Sequence, residues 1–168
     1  MIETKGGPLF VNHLNGVATM NFTQVSNDDI REEYVRRFKV PIGDAIRDAR
    51  AAVEHLRCYF SNTPLNESFV IVFLDQQHRI IDTLSMFQGT INTSAVYPRE
   101  VISKVLELGA VAVILGHNHP SGETTPSNRD RAVTQKLKTA LNAIDVEILD
   151  HIIVGTDAHY SFQDHSIL

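Results

Sequence analysis

The stretch HNHPSGETTPSNRD, residues 117–130, places two histidines, two serines, a glutamate and an aspartate directly after the apolar run VAVIL at 111–115. His117 and His119 are two positions apart at the end of an extended segment, so their side chains project to one face and can share an ion. Taken alone the pair is weak evidence, because two histidines at a strand end also serve structural ends. Ser127 and Asp130 have a structural reading too, as a serine cap followed three residues later by an acidic residue, close to a capping box. The combination says more than its parts. Pro120, Ser121 and Gly122 turn the chain straight after the histidines, and a helix beginning near Asn128 brings Asp130 back toward them. Two imidazoles and a carboxylate make three protein ligands, and zinc held by three protein ligands keeps its fourth tetrahedral position for water. That is a catalytic geometry.

These residues need a scaffold, and the flanking sequence supplies one. Residues 44–60, DAIRDARAAVEHLRCYF, place Ile46, Ala49, Val53, Leu56 and Phe60 at helical spacing with Asp44 as the expected cap. After the breaker SNTPLNE, the runs SFVIVFLD and RIIDTLSMF read as an antiparallel pair joined at QQH. A turn region, QGTINTSAVYP, has room for one more short strand. PREVISKVLELG predicts a helix with Pro98 at its first position, Val101, Val105 and Leu108 on one face and Gly109 as its stop. AVAVIL is continuous enough for a strand buried on both faces, a helix over about 128–142 follows, and VEILDHIIVG and HYSF close the series as strands. The predicted order is α, ββ, α, β, α, ββ. Residues 1–43 lack a sustained period and read as an N-terminal extension, within which SNDDIREEYVRRF predicts a short helix capped by Ser26 or Asn27.

Composition bounds the reading. With 168 residues, 43% hydrophobic and 21% charged, the chain suits one soluble globular domain with an appendage. No apolar run reaches the roughly 18 residues of a membrane span, and MIETKGGPLF lacks the basic-then-apolar layout of a signal peptide, so no membrane association and a cytoplasmic address are expected. The single cysteine, Cys58, excludes an internal disulfide and a Cys-rich zinc cage, which leaves histidine and carboxylate as ligands. The net charge of −5 gives no global attraction to phosphate backbones. Arg129, Arg131, Lys136 and Lys138 read as a solvated helix face that is locally basic.

HNHPSGETTPSNRD also fits a known pattern: His-x-His-Pro, six residues, Ser, two residues, Asp. It resembles the JAMM signature of the MPN/JAB zinc metallopeptidases, and GT at 89–90, YPREV at 97–101, HNHPSG, LDHIIVG and SF are similar to the RadC-like branch. The resemblance covers about residues 44–168, which it marks as a RadC-like JAB/MPN catalytic domain. It implies an α/β fold, a mixed β-sheet flanked by helices in a deaminase-like sandwich. It also implies zinc on His117, His119 and Asp130, and a Ser127 that holds the water or the reaction's oxyanion. The family pattern requires an upstream glutamate as general base at the start of the first strand, where NESFVIVFLD supplies Glu67. Glu100 is a rival better explained by the dipole at a helix start, and Glu123 is a weaker one.

The activity implied is hydrolysis of an amide or isopeptide bond by metal-activated water, with a peptide or isopeptide substrate. Relatives cut bonds at the C-terminus of ubiquitin-like proteins. Two other readings stand beside it. RadC-like proteins carry an association with DNA repair, although 43 residues are too few and too irregular for the helical DNA-binding region of longer members. The letters HNH at 117–119 do not make the dispersed ββα finger of HNH nucleases. A non-catalytic MPN binding module is the third reading, and it would be expected to lack ligands that all stand here. Among other polar residues, Asp150 and His151 are neighbours on a strand and point to opposite faces unless a bulge intervenes, which leaves His151 a supporting or substrate-contacting role at most. His13, His55, His78, His159 and His165 have no partner at ligand spacing and read as surface or structural. Cys58 reads as packing. The sequence leaves the oligomeric state open.

Overall fold

The computed structural model describes residues 12–14, 17–19, 26–61, 66–88 and 96–168. The chain divides into two compact units, 1–37 and 38–168.

In the first unit, β1 (Asn12–Leu14) and β2 (Val17–Thr19) pair antiparallel. α1 (Asn27–Phe38) starts at a capping box, in which Asp29 N–H donates to Ser26 Oγ and Ser26 N–H donates to the Asp29 carboxylate. No residue of α1 is buried. Exposed pairs such as Arg31–Asp28 and Arg36–Glu33, each at 2.7 Å, decorate the helix and contribute little to stability.

The second unit is a mixed five-stranded sheet in the order β4-β3-β5-β6-β7, formed by β3 (Ser68–Leu74), β4 (Ile80–Gln88), β5 (Ala112–Asn118), β6 (Glu147–Val154) and β7 (His159–Ser161). Among the described strands only β5 and β6 run parallel, and α4 (Asn128–Asn142) is the crossover that such a pair requires. α2 (Ala49–Phe60) covers one face with Val53, Leu56 and Phe60 against Val70, Val72, Ile114 and Ile152. α3 (Pro98–Leu108) and α4 contribute to the core on the other, where Phe69, Ile71, Val113 and Leu115 meet Val101, Val105, Val133 and Leu137. This is the expected α/β architecture, in the expected element order. The strand considered within QGTINTSAVYP falls mainly on residues 89–95, outside the described residues.

Two details correct the sequence reading. α2 begins at Ala49, not at 44, and its cap is Asp48, whose carboxylate accepts from Ala51 N–H at 2.8 Å. Either aspartate has the carboxylate a cap needs, and backbone pairing decides between them. Gly43 N–H donates to Ile80 O, Ile80 N–H to Asp44 O and Ile46 N–H to His78 O, so residues 43–46 lie alongside the start of β4 rather than in the helix. Ile46 is buried from that segment, while Ala49 is exposed. The same pairing ties Gly43 and Asp44 to the start of β4.

The ends of α3 follow local rules. Pro98 opens it, where its missing N–H is no loss, and Gly109 closes it in the left-handed conformation at φ 65°. Among the described residues, no helix is long and apolar enough to cross a membrane.

Candidate metal centre

β5 places the first two residues of the site. Val113 and Leu115 face the core containing α3 and α4, so His117, two residues further, faces the same way and is fully buried. His119 lies just beyond the strand and is pinned by its own N–H to Val154 O at 2.9 Å. The turn after it closes through Gly122 N–H to His119 O. Gly155 lets this loop settle on the end of β6, since an added Cβ there would lie 2.5 Å from Gly122 O. The loop then delivers the capping box of α4: Asp130 N–H donates to Ser127 Oγ, and Ser127 N–H and Oγ–H both donate to Asp130 Oδ2 at 2.7 and 2.6 Å. The structural reading of Ser127 and Asp130 therefore holds, and the same cap aims Asp130 at the histidines. Oδ1 lies 3.3 Å from His117 Nε2, and Oδ2 lies 3.8 Å from His119 Nε2.

β3 brings in Glu67. Phe69 pairs with His117 across the β3–β5 ladder, so the start of β3 and the end of β5 coincide. A carboxylate oxygen of Glu67 and one nitrogen each of His117 and His119 lie within 4.8 Å of one another. Asn118, between the two histidines, fixes that approach. Its Oδ1 accepts from Ser68 N–H at 2.8 Å and its Nδ2 donates to Asn66 O at 3.0 Å, clasping the backbone on either side of Glu67. Neither rival glutamate is held this way. Glu100 is exposed in the first turn of α3, and the Glu123 carboxylate accepts from Thr125 N–H and Oγ1–H.

The hydrogen bonds determine where the imidazole protons sit. A carbonyl can only accept, so the 2.5 Å contact between His119 Nδ1 and Glu123 O puts the His119 proton on Nδ1. His117 Nδ1 contacts His151 Nε2 at 2.9 Å and, with the bonds traced below, also carries its proton outward. Both Nε2 atoms are then lone pairs, and they face each other at 2.9 Å beside the Asp130 carboxylate. Burial pushes the His117 imidazole down to about 4, the nearby Asp130 opposing this and His119 adding to it, so the His117 ring itself is neutral near neutral pH. Three acceptors converging in one site are groups that could hold a cation. The spacing is of that order: a tetrahedral zinc with bonds of about 2.1 Å sets its donors about 3.4 Å apart, against 2.9 Å between the two Nε2 atoms, 3.3 Å from His117 Nε2 to Asp130 Oδ1 and 3.8 Å from His119 Nε2 to Asp130 Oδ2. The donor set of two neutral imidazoles and one carboxylate fits that ion.

Residues 46–167 match the RadC-like JAB domain family. The chain belongs to that family. It is 45% identical to a Vibrio cholerae UPF0758 protein over 126 residues, 75% of this chain and 79% of the relative. It is 41% identical to a Shewanella pealeana UPF0758 protein over 156 residues, 90% of this chain and 67% of the relative. The match to a Xylella fastidiosa UPF0758 protein, 46% identical, spans 56% of that relative's length.

In this RadC-like domain the structure brings together all five residues singled out in the sequence: Glu67, His117, His119, Ser127 and Asp130. It adds three that the sequence reading passed over or ranked low. Asn118 stands between the two histidines with no local signal of its role. Thr134 stands four residues after Asp130 on α4, a helical spacing that could have flagged it. His151 is fully buried against His117. Asp150 and His151 do point to opposite faces: Asp150 accepts from Ser161 Oγ–H, Gln163 N–H and His151 N–H, away from the site. Of the remaining histidines, His55 is buried and His165 stacks on Tyr160, while the side chain of His13 lies outside the described residues. Burial raises the Cys58 thiol to about 11, as suits a packing residue and not a nucleophile.

Proposed function

We propose that this RadC-like domain is a zinc-dependent amide hydrolase that cleaves a peptide or isopeptide bond. The observation that carries the reading is the convergence of His117 Nε2, His119 Nε2 and an Asp130 carboxylate oxygen, with the Glu67 carboxylate beside the histidines. His117, His119 and Asp130 would hold the ion. When bound, zinc supplies Lewis acidity, bringing the pKa of water toward about 7 and polarising a carbonyl.

The chain's own residues do the rest. Glu67 accepts a proton from water as the oxygen attacks the substrate carbonyl, then returns it to the departing amine nitrogen, so a carboxylic acid and an amine leave. Asn118 keeps Glu67 at the end of β3 through its two backbone bonds. Ser127 fixes Asp130 by donating to Oδ2, so the oxyanion-holding role implied by resemblance begins with rotation of that hydroxyl. A cleft of about 240 Å³ lined by Phe60, Asn118, His119, Pro120 and Thr156 runs beside His119. It is smaller than the roughly 300–1,000 Å³ of pockets that enclose small ligands, and it suits a segment of chain passing over the site.

The test is zinc reconstitution followed by an activity screen on peptide, isopeptide and DNA substrates. Cleavage of an amide bond that is lost on chelation and restored by zinc supports the reading. DNA cleavage, or tight sequence-selective DNA binding at physiological salt, overturns it. Non-specific DNA binding through the exposed Arg129, Arg131 and Lys136 of α4 would instead be weak and steeply salt-dependent.

A further inference from the structure

The hydrogen bonds behind His117 run in one direction only. Thr134 Oγ1 lies 2.6 Å from the Asp130 backbone carbonyl and 2.6 Å from His151 Nδ1. A hydroxyl has one proton, and the carbonyl has none to give. Both contacts are satisfied only when Thr134 donates to Asp130 O and His151 Nδ1–H donates to Thr134. His151 Nε2 is then an acceptor, and at 2.9 Å it takes the proton of His117 Nδ1–H. The His117 Nε2 lone pair is left facing His119 and Asp130.

His151 has no other course. It is fully buried, stacked on Phe162 at 4.6 Å and met edge-on by Phe69 at 5.5 Å, so no water competes for its nitrogens. Its presence on this face depends on an irregularity in β6. Val113 pairs with Ile148 but Ile114 pairs with Asp150, so Leu149 is an extra residue. Strict alternation from Ile148, which faces the core containing α4, would turn His151 toward α2. The bulge reverses that parity and aims it at His117.

We propose that Thr134 and His151 are positioning residues that preset His117 in its Nδ1–H tautomer, so that Nε2 is presented to the metal ion before the ion arrives. The relay starts at the backbone carbonyl of Asp130, itself a ligand residue, and ends on His117, so one helix turn orders two of the three donors. The inference rests on the metal-centre reading above. Residues that orient a ligating histidine typically change metal affinity by about 10- to 100-fold when removed.

Long-range proton–nitrogen correlation spectra of the zinc-free wild-type protein near neutral pH read the tautomers without any substitution. Nδ1–H on both His117 and His151 is expected, and Nε2–H on either ring overturns the relay. Zinc affinity is then measured by competition with a chromophoric chelator. Thr134→Val, nearly isosteric but without the hydroxyl, is expected to weaken zinc binding by about 10- to 100-fold, and Thr134→Ser to restore wild-type affinity. If wild type binds zinc and Thr134→Val binds it equally well, the relay fails while the metal centre stands. If wild type binds no zinc, the metal reading fails and the relay falls with it.

Discussion

His55 and the pair His117–His119 are histidines packed into the same unit, yet their hydrogen bonding ends differently. His55 Nδ1 accepts from Val40 N–H at 3.2 Å, which leaves Nε2–H to pair with Thr83 Oγ1 at 3.0 Å. Donor meets acceptor at both nitrogens, and the ring ties residue 40 to α2 and β4. At His117 and His119 the outward nitrogens are equally well satisfied, but the inward ones are two lone pairs facing each other beside a carboxylate. Burying polar groups is tolerated when each finds a partner. A closed account marks a structural histidine, and inward nitrogens grouped beside a carboxylate mark a candidate site.

The largest expected effect separates using the metal from holding it. Glu67→Gln should leave zinc bound and the fold intact while turnover falls about 10²- to 10⁴-fold, seen in kcat on whichever substrate the screen identifies. Retained turnover would remove Glu67 from the mechanism, and lost zinc would make it a ligand. Next comes stability: free zinc at about 1,000 times its Kd should add about 4 kcal/mol to unfolding free energy. The same increment should appear in His55→Asn and vanish in His119→Ala, as read by thermal melts with and without zinc.

The closed account at His55 predicts a pH effect of its own. Burial, with a smaller contribution from Lys39, pushes the His55 imidazole down from 6.5 to about 4. The unfolded chain therefore takes up the proton first, so the stability His55 provides is complete above pH 6.5 and is lost as pH falls toward 4. Denaturant melts of wild type and His55→Asn should converge by up to about 3 kcal/mol across that window. A constant difference would mean that the ring is already charged or never becomes so. The smallest effect belongs to Asn118→Ala, which should keep zinc and reduce turnover about 10- to 100-fold by loosening the backbone around Glu67. Unchanged turnover would show that the strand alone positions the base.

The two regions were unequally legible in the sequence. The strands and the helices α3 and α4 follow from apolar periodicity, from Pro98 and Gly109, and from the Ser127–Asp130 cap, all local signals. His117, His119 and Asp130 were readable because the proposed ligands lie within one strand end, one turn and one helix start. Glu67 came from resemblance, since only the β3–β5 register joins residues 50 positions apart. The start of α2 was misplaced because pairing with β4, invisible in local periodicity, draws residues 43–46 away from the helix. The face that His151 reaches is hidden for a similar reason. An extra residue at Leu149 leaves no local trace, and it decides which face of the sheet the imidazole reaches.

The central claim is that the inward lone pairs of His117 and His119 and the Asp130 carboxylate form a centre that is completed by a metal ion. Metal content after zinc reconstitution and exhaustive buffer exchange tests it most directly, with wild type, His119→Ala, Asp130→Asn and His55→Asn treated side by side. The account predicts one tightly held zinc per chain in wild type and in His55→Asn, and none retained in His119→Ala or Asp130→Asn. A wild-type protein without stoichiometric zinc, or a His119→Ala variant that keeps full occupancy, would contradict it.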